Sequence, residues 1–329
     1  MKYIDLCSVG NMGDMMDIRN PETKAVIFEG LKEENIRNPL LYMNILKNEY
    51  SYTKADYKVS DKNGLQVSPI SIAFFFVPLI NAICRSGNLE AKKFVFEAML
   101  EKEALEMILS NKRGHKLGET ERRVDQALRT LTNVKNRQTR EEEKSLEIFD
   151  KKIKENNLDD HKIILITLKP GEVDKNVAGL ISNKLANKYQ RPATILTYGT
   201  NADGVECYSG SMRGYTKTGI ESFKDICLKS DSTIGVYGHH NAAGLSVKAE
   251  IDKFLADMDE LLAGVSIEPT YYVDYILHQT PQDGDIILAL AEMNDYLGTG
   301  IERPLVYLDD LKIDDNHLAV YQNSTFMFV

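Results

Sequence analysis

The chain has 329 residues, 43% of them hydrophobic and 27% charged, which is ordinary for a globular protein of about two domains and leaves core size no limitation. A net charge of −9 argues against a protein that coats polyanions without specificity, but it leaves room for nucleic acid held in a local basic groove. Cys7, Cys84, Cys207 and Cys227 lack C-x-x-C spacing, so neither a zinc ribbon nor a disulfide scaffold is indicated, and a reducing cytosol fits best. The longest apolar run, residues 70–84, is interrupted by Pro78 and Asn81 and falls short of the roughly 18 residues that span a bilayer. Met1-Lys2-Tyr3-Ile4-Asp5 has neither signal-peptide nor transit-peptide character, so the expected location is cytoplasmic, with no membrane partner.

In chain order, residues 2–9 predict a buried strand that ends in the turn Gly10-Asn11-Met12-Gly13-Asp14. Helical periodicity covers residues 21–47, a polar interval follows at 51–68, then an apolar segment at 69–85 and helices over 89–111. Residues 119–157 contain no Pro or Gly. Their apolar positions, Val124, Leu128, Leu131 and Val134, then Leu146, Phe149 and Ile153, have helical spacing. The polar interval 135–145 predicts a waist exposed on every side, as in a helix connecting two domains; a peripheral amphipathic helix is the plainer alternative. Beyond it, strands over 162–168, 193–198 and 205–211 alternate with helices over 175–189, 220–228 and 247–262, which implies an α/β domain of about 100 residues. The tail, 265–329, offers a helical piece at 285–296, Gly298-Thr299-Gly300, and strand-like segments with too few partners for a sheet of their own.

Four segments suggest chemistry. Gly238-His239-His240-Asn241-Ala242-Ala243-Gly244 places a histidine in a glycine turn, ahead of small residues that would let a helix start close to another backbone. Ser209-Gly210-Ser211-Met212-Arg213 gathers a hydroxyl, a guanidinium and turn amides within a few residues, as a phosphate nest does. In Pro78-Leu79-Ile80-Asn81-Ala82-Ile83-Cys84-Arg85, Asn81 and Arg85 lie four residues apart on one helix face and are suited to a phosphate oxygen. Asp14, after its glycine turn, is a carboxylate suited to a hard divalent cation. Each also has a plain structural reading: a solvent histidine, a strand-end arginine, a cap with a surface ion pair, and a turn former.

Together these segments resemble DHH-family phosphoesterases, and among them the RecJ-like single-strand exonucleases. The glycine–histidine segment resembles the signature of the DHH-associated domain, and Asp5 through Met16 resembles the last motif of the catalytic domain. Pro78 to Arg85, Asn136-Arg137-x-x-Arg140 and Val177-Ala178-Gly179-Leu180 resemble further RecJ-like elements, though Asn176 stands where a glycine is common. The resemblance implies an α/β fold in four parts. They are the C-terminal part of a DHH domain (1–117), a connecting helix (118–157), a DHH-associated substrate domain (158–264), and the start of a β-rich, OB-like third domain (265–329). It also implies a site in which Asp14 is a metal ligand, His239 and Asp14 are catalytic, and Arg85, Asn81, Ser211, Arg213 and Gly238 bind the substrate phosphate. Asp17 is expected to cap the next helix, and His240 to be exposed at a variable position.

The implied activity is 5′→3′ degradation of single-stranded DNA with two Mn²⁺ or Mg²⁺ ions, in DNA repair and recombination. No D-x-D follows an early apolar strand and no Asp-His-His occurs, so the resemblance begins at the fourth catalytic motif. The expected partners are single-stranded nucleic acid and a separate N-terminal DHH-domain polypeptide that completes the metal site. Two alternatives stay open: a non-catalytic nucleic-acid-binding subunit, and a DHH-type phosphodiesterase acting on oligonucleotides or cyclic dinucleotides.

Overall fold

The computed structural model describes residues 2–49, 57–60, 64–201, 204–268, 271–310, 318–321 and 325–328. Its first element is a helix, α1 (Ile4–Gly13), where the short apolar run predicts a strand. Ile4, Asp5, Ser8, Val9 and Met12 are its buried positions, and that spacing is helical; over so short a run periodicity alone does not separate the two. The buried Asp5 holds α1 in place. Its carboxylate accepts from the backbone amides of Leu6 (2.8 Å), Arg37 (2.9 Å) and Asn38 (2.7 Å).

The predicted helix over 21–47 is two, α2 (Pro21–Gly30) and α3 (Pro39–Glu49), each opened by a proline at its first position. Asn20, not Asp17, caps α2, accepting from Glu22 N and Thr23 N. The polar interval yields the hairpin β1 (Tyr57–Ser60) and β2 (Gly64–Val67). The apolar segment becomes α4 (Pro69–Phe75) and α5 (Val77–Ser86). By length and composition 69–86 is apolar enough to cross a membrane, with mean hydropathy 1.5, although Ile72, Phe76, Val77, Ala82 and Ile83 are spent in the protein core. Helices α6 (Leu89–Glu97) and α7 (Glu101–Ala104) follow, and the expected helical stretch then ends in a strand, β3 (Met107–Leu109), paired with β4 (Thr120–Arg122).

Helix α8 (Arg123–Glu155) runs 33 residues, about 50 Å at 1.5 Å per residue. Its first half packs Val124, Ala127, Leu128, Leu131 and Val134 into one core, and its last turns deliver Phe149 and Ile153 to another. The waist is not exposed on every side. Gln138 and Glu142 are each only 2% accessible, because the waist is where α5 and α9 close on α8. Gln138 donates to Ser86 Oγ (3.2 Å), and Lys184 pairs with Glu142 (2.6 Å).

The second unit contains β5 (Ile164–Leu168), α9 (Lys175–Tyr189), β6 (Ala193–Thr200), β7 (Glu206–Arg213), α10 (Phe223–Cys227), β8 (Thr233–His239), β9 (Ala242–Lys248) and α11 (Ile251–Leu261). Its five strands run in the order β5-β6-β7-β9-β8, with only β5 and β6 parallel. Helix α9 covers one face over β5 to β7, while α10 and α11 cover the other. The small residues from 242, expected to open a helix, form β9 instead. Ala243, Leu245 and Val247 alternate inward while Ala242, Gly244 and Ser246 face out, which is strand periodicity.

The tail contributes β10 (Tyr275–Leu277), α12 (Pro281–Glu292), β11 (Val306–Leu308), β12 (Leu318–Tyr321) and β13 (Thr325–Phe328), and among the described residues these strands form only two-stranded sheets. Before β11, the tail returns to the first helices, where Ile18 N donates to Thr299 O (2.9 Å).

Candidate functional site

Strand register determines which side chains share the open part of the sheet. Arg213 in β7 pairs with Ala242 in β9, and Ala242 pairs with His239 in β8. One step along, Ser211 pairs with Gly244, and Gly244 with Tyr237. Residues in register across neighbouring strands project to the same face. Arg213, Ser211, His239 and Tyr237 therefore look out from one face, and the intervening column Ala242, Gly244, Ser246 is its low floor. Two strand spacings, about 10 Å, separate the backbones of Arg213 and His239.

Gly238 has φ +138°, a conformation open to glycine, and a Cβ there would come within 2.8 Å of Ala242 O and Ala243 Cα. This residue presents His239 at the strand end, before the two-residue loop His240-Asn241. The loop is tied down by contacts that the sequence did not single out. Asn241 Oδ1 accepts from Phe223 N (3.1 Å) and its Nδ2 donates to Glu221 O (2.9 Å). Gly214 N donates to Asn241 O (2.9 Å), and a Cβ on Gly214 would meet Asn241 Oδ1 at 2.1 Å. Lys224 Nζ holds Gly238 O at 3.0 Å.

Arg213 is half-buried beside α9. A Cβ on Gly179 would lie 2.7 Å from Arg213 Nη2 and 3.4 Å from Ser211 Oγ, so that glycine makes the space in which the guanidinium rests. Arg213 Nη1 donates to Met212 O (2.7 Å). Burial pushes its pKa below the ordinary arginine range, and the positive charge of nearby Arg85 pushes the same way. Arginine stays protonated through such a shift. Arg85 on α5 is thus near enough for its charge to act on Arg213, and among the described residues neither has an acidic partner. Arg137 adds a third cation next to them, donating to Ser86 O (3.2 Å) at the end of α5. Asn136 and Arg140 are exposed on the same helix. His239 and His240 are both exposed, and His240 sits 3.1 Å from Ser222 Oγ.

Asn81 and Arg85 lie one turn apart on α5, with Asn81 partly buried. Asp14 belongs to the other end of that helix. It is the exposed C-cap of a helix, α1, and not a residue delivered by a strand; a Cβ on its neighbour Gly13 would touch Val77 at 3.8 Å. From Val77 to Arg85 is about 12 Å along the axis, so Asp14 is not part of the arginine cluster itself. Of the three early aspartates, Asp5 is consumed by backbone amides and Asp17 is paired with Arg19 (2.5 Å). Among the described residues, Asp14 alone of these has a carboxylate free of such commitments. No group of three or more His, Cys, Asp or Glu gathers to hold a metal among the described residues, so they do not by themselves fit a two-metal centre.

The helical first unit, the 33-residue α8 and the five-stranded sheet together make a fold that solved structures share. Two structures of RecJ from Thermus thermophilus have this fold. The Mg²⁺ complex has a TM-score of 0.61 at 18% identity, over 92% of this chain and 41% of that one. The Mn²⁺ complex has a TM-score of 0.62 at 20% identity, over 100% and 44%. In sequence, the chain is 32% identical over 335 residues to YorK, an SPbeta prophage-derived protein of Bacillus subtilis (strain 168) described as a single-strand DNA-specific exonuclease, and equally to its Bacillus phage SPbeta counterpart. The alignment covers 99% of this chain but spans only about half the length of these relatives, 55%. No protein-family model matches the chain.

Proposed function

We propose that this chain is the strand-holding part of a metal-dependent exonuclease that degrades single-stranded DNA from its 5′ end in the cytoplasm. The observation that supports this reading is Arg213, half-buried in the space left by Gly179, on the sheet face it shares with Ser211 and His239 and without an acidic partner among the described residues. A half-buried guanidinium without an acid, with the positive charge of Arg85 nearby, is a place where a bound anion offsets an unfavourable field. A terminal phosphate, with two charges and several acceptor oxygens, meets that need. Arg213 would grip it bidentately, Arg85 would neutralise it from α5, and Ser211 would add a neutral hydrogen bond. His239, across the Ala242 floor, would add a contact that strengthens on protonation. Asn81 on α5 and the backbone at Gly238 would add further contacts to the phosphate, and Arg137 would extend the cationic track toward the next phosphate of the strand.

In this reading Asp14 supplies one ligand to the Mn²⁺ or Mg²⁺ ions, and the other ligands come from a DHH domain outside these 329 residues. Part boundaries at 117, 157 and 264, with an OB-like third domain beginning at 265, belong to the same proposal. One observation favours a second reading, a nucleic-acid-binding subunit without catalysis: the lone free carboxylate of Asp14.

The purified chain, assayed with end-labelled strands and Mn²⁺, tests the proposal. It is expected to bind 5′-phosphorylated single strands better than 5′-hydroxyl strands and to hydrolyse them only when a DHH domain is supplied. Hydrolysis by the chain alone that Asp14→Ala abolishes would show a complete metal site here. Binding indifferent to the 5′ phosphate would overturn the 5′-end reading. Binding without hydrolysis even after the domain is added would favour the second reading.

A further inference from the structure

The proposed phosphate cluster leaves one large side chain on the same open face without a role. Tyr237, on the edge strand β8, is 76% exposed. Its ring does not project freely. An ideal Cβ on Gly235 would lie 2.9 Å from Tyr237 Oη, 3.0 Å from Cε2 and 3.1 Å from Cζ, so the ring is folded back over the bare backbone of Gly235. The phenol end of the ring is thereby held beside the sheet, and most of the ring is left to solvent. Beside it the floor is low. Gly244 is the cross-strand neighbour of Tyr237, and a Cβ there would find only backbone oxygens, at 3.7 Å. Ser246 and Ser209 continue the floor and are hydrogen-bonded to each other at 2.9 Å.

We infer that Tyr237 is a stacking platform for the base at the 5′ end of the bound strand, an inference that rests on the 5′-phosphate reading above. His239 and Tyr237 are two residues apart on one strand and one face, a separation of about 6.7 Å. The ring, lying back toward Gly235, therefore extends the face along the strand beyond that spacing. A strand whose phosphate lies between Arg213 and His239 can run over Ala242 and Gly244, where the floor is low, toward the Tyr237 ring. Because every base has a π-face, such a platform confers affinity without sequence preference. It would also set the position of the first nucleotide more strictly than a phosphate contact alone, since a flat ring fixes the plane of the base.

The chain contains no tryptophan, so Tyr237→Trp creates a single reporter at the proposed platform. The probes are 5′-phosphorylated single strands whose 5′-most nucleotide is either intact or abasic, and the same intact strand with a 5′ hydroxyl. The intact phosphorylated strand is expected to quench the emission of the introduced indole by half or more, and the abasic strand hardly at all. In anisotropy titrations Tyr237→Ala is expected to weaken the intact strand about five- to a hundredfold and leave the abasic strand within twofold of wild type, while Tyr237→Phe stays near wild type. Equal quenching by intact and abasic strands, or equal loss for both with Tyr237→Ala, would overturn the platform. If wild type prefers the 5′ phosphate but Tyr237→Ala binds normally, only the platform fails. If wild type shows no phosphate preference, the underlying reading fails with it.

Discussion

Gly179 offers a perturbation in which stability and binding should move in opposite directions. It lies inside α9, where glycine costs roughly 0.5–1 kcal/mol relative to alanine, so Gly179→Ala should stabilise the helix by about that amount. The new methyl would sit 2.7 Å from Arg213 Nη2, the far end of a flexible side chain. To restore an ordinary contact of about 3.4 Å the guanidinium must retreat by about 0.7 Å, which stretches a good hydrogen bond of ~2.8 Å to the limit of bonding. Losing one of two charged contacts to the phosphate costs about 1.5 kcal/mol, close to tenfold in affinity. Differential scanning calorimetry should show a Tm higher by roughly 1–3 °C. Fluorescence anisotropy should show about tenfold weaker binding of a 5′-phosphorylated single strand and little change for a 5′-hydroxyl strand. A stabilised variant that binds the phosphorylated strand at wild-type affinity would refute the placement of Arg213 at the terminal phosphate. A destabilised variant would show that the arginine cannot yield and that the Gly179 space is structural.

Other outcomes follow from the packing. Glu121 joins the β3–β4 hairpin to α8, and Arg129, which hydrogen-bonds it at 2.5 Å, holds its carboxyl down to about 2 from an ordinary 4.5. Its contribution, at most about 3 kcal/mol, is fully present above pH 4.5 and lost as the pH falls toward 2; Glu121→Gln should therefore lower Tm at pH 7 and flatten its acid dependence in circular-dichroism melts. Lys184→Ala would leave the carboxylate of Glu142, 3% exposed, without its partner, at a cost of about 1–3 kcal/mol because Lys184 itself is partly solvated. Adding Glu142→Gln should recover most of that loss in chemical denaturation, and an additive loss would contradict the pairing. A fragment beginning at residue 158 lacks Phe149 and Ile153, 3% and 0% accessible, and should be about 3–6 kcal/mol less stable than one beginning at 143.

After residue 160, β5, β6, β7 and the helices are legible because each carries a clear period, whereas β8 is not anticipated and the small residues of β9 read as a helix start; α8 is legible because thirty-odd residues without Pro or Gly leave few other options. The first element is not, because an eight-residue apolar run satisfies both strand and helix; what decides it is Asp5 receiving the amides of Arg37 and Asn38, a contact more than thirty residues away in sequence. The waist misleads for a related reason. Gln138 and Glu142 look like surface residues until α5 and α9 supply Ser86 and Lys184. At the candidate site, the residue types of Arg85, Ser211, Arg213 and His239 are visible in short motifs, but their common face is not, since it depends on β9 inserting between β7 and β8. Gly179 and Asn241 fall inside quoted motifs, but nothing local tells what they touch, and Tyr237 has no local signal of function. Only the register across β9 and the close approach of α9 reveal what they touch.

The central claim is that Arg213 holds the terminal phosphate of a single strand, and paired titrations of Arg213→Ala test it most directly. Affinity for a 5′-phosphorylated strand should fall by about 1.5–3 kcal/mol, roughly ten- to a hundredfold, the range of a charged hydrogen bond. Affinity for the same strand with a 5′ hydroxyl should change far less. Equal losses for the two strands would mean that Arg213 contributes only to the general positive field of the cleft, and the 5′-end assignment would fall.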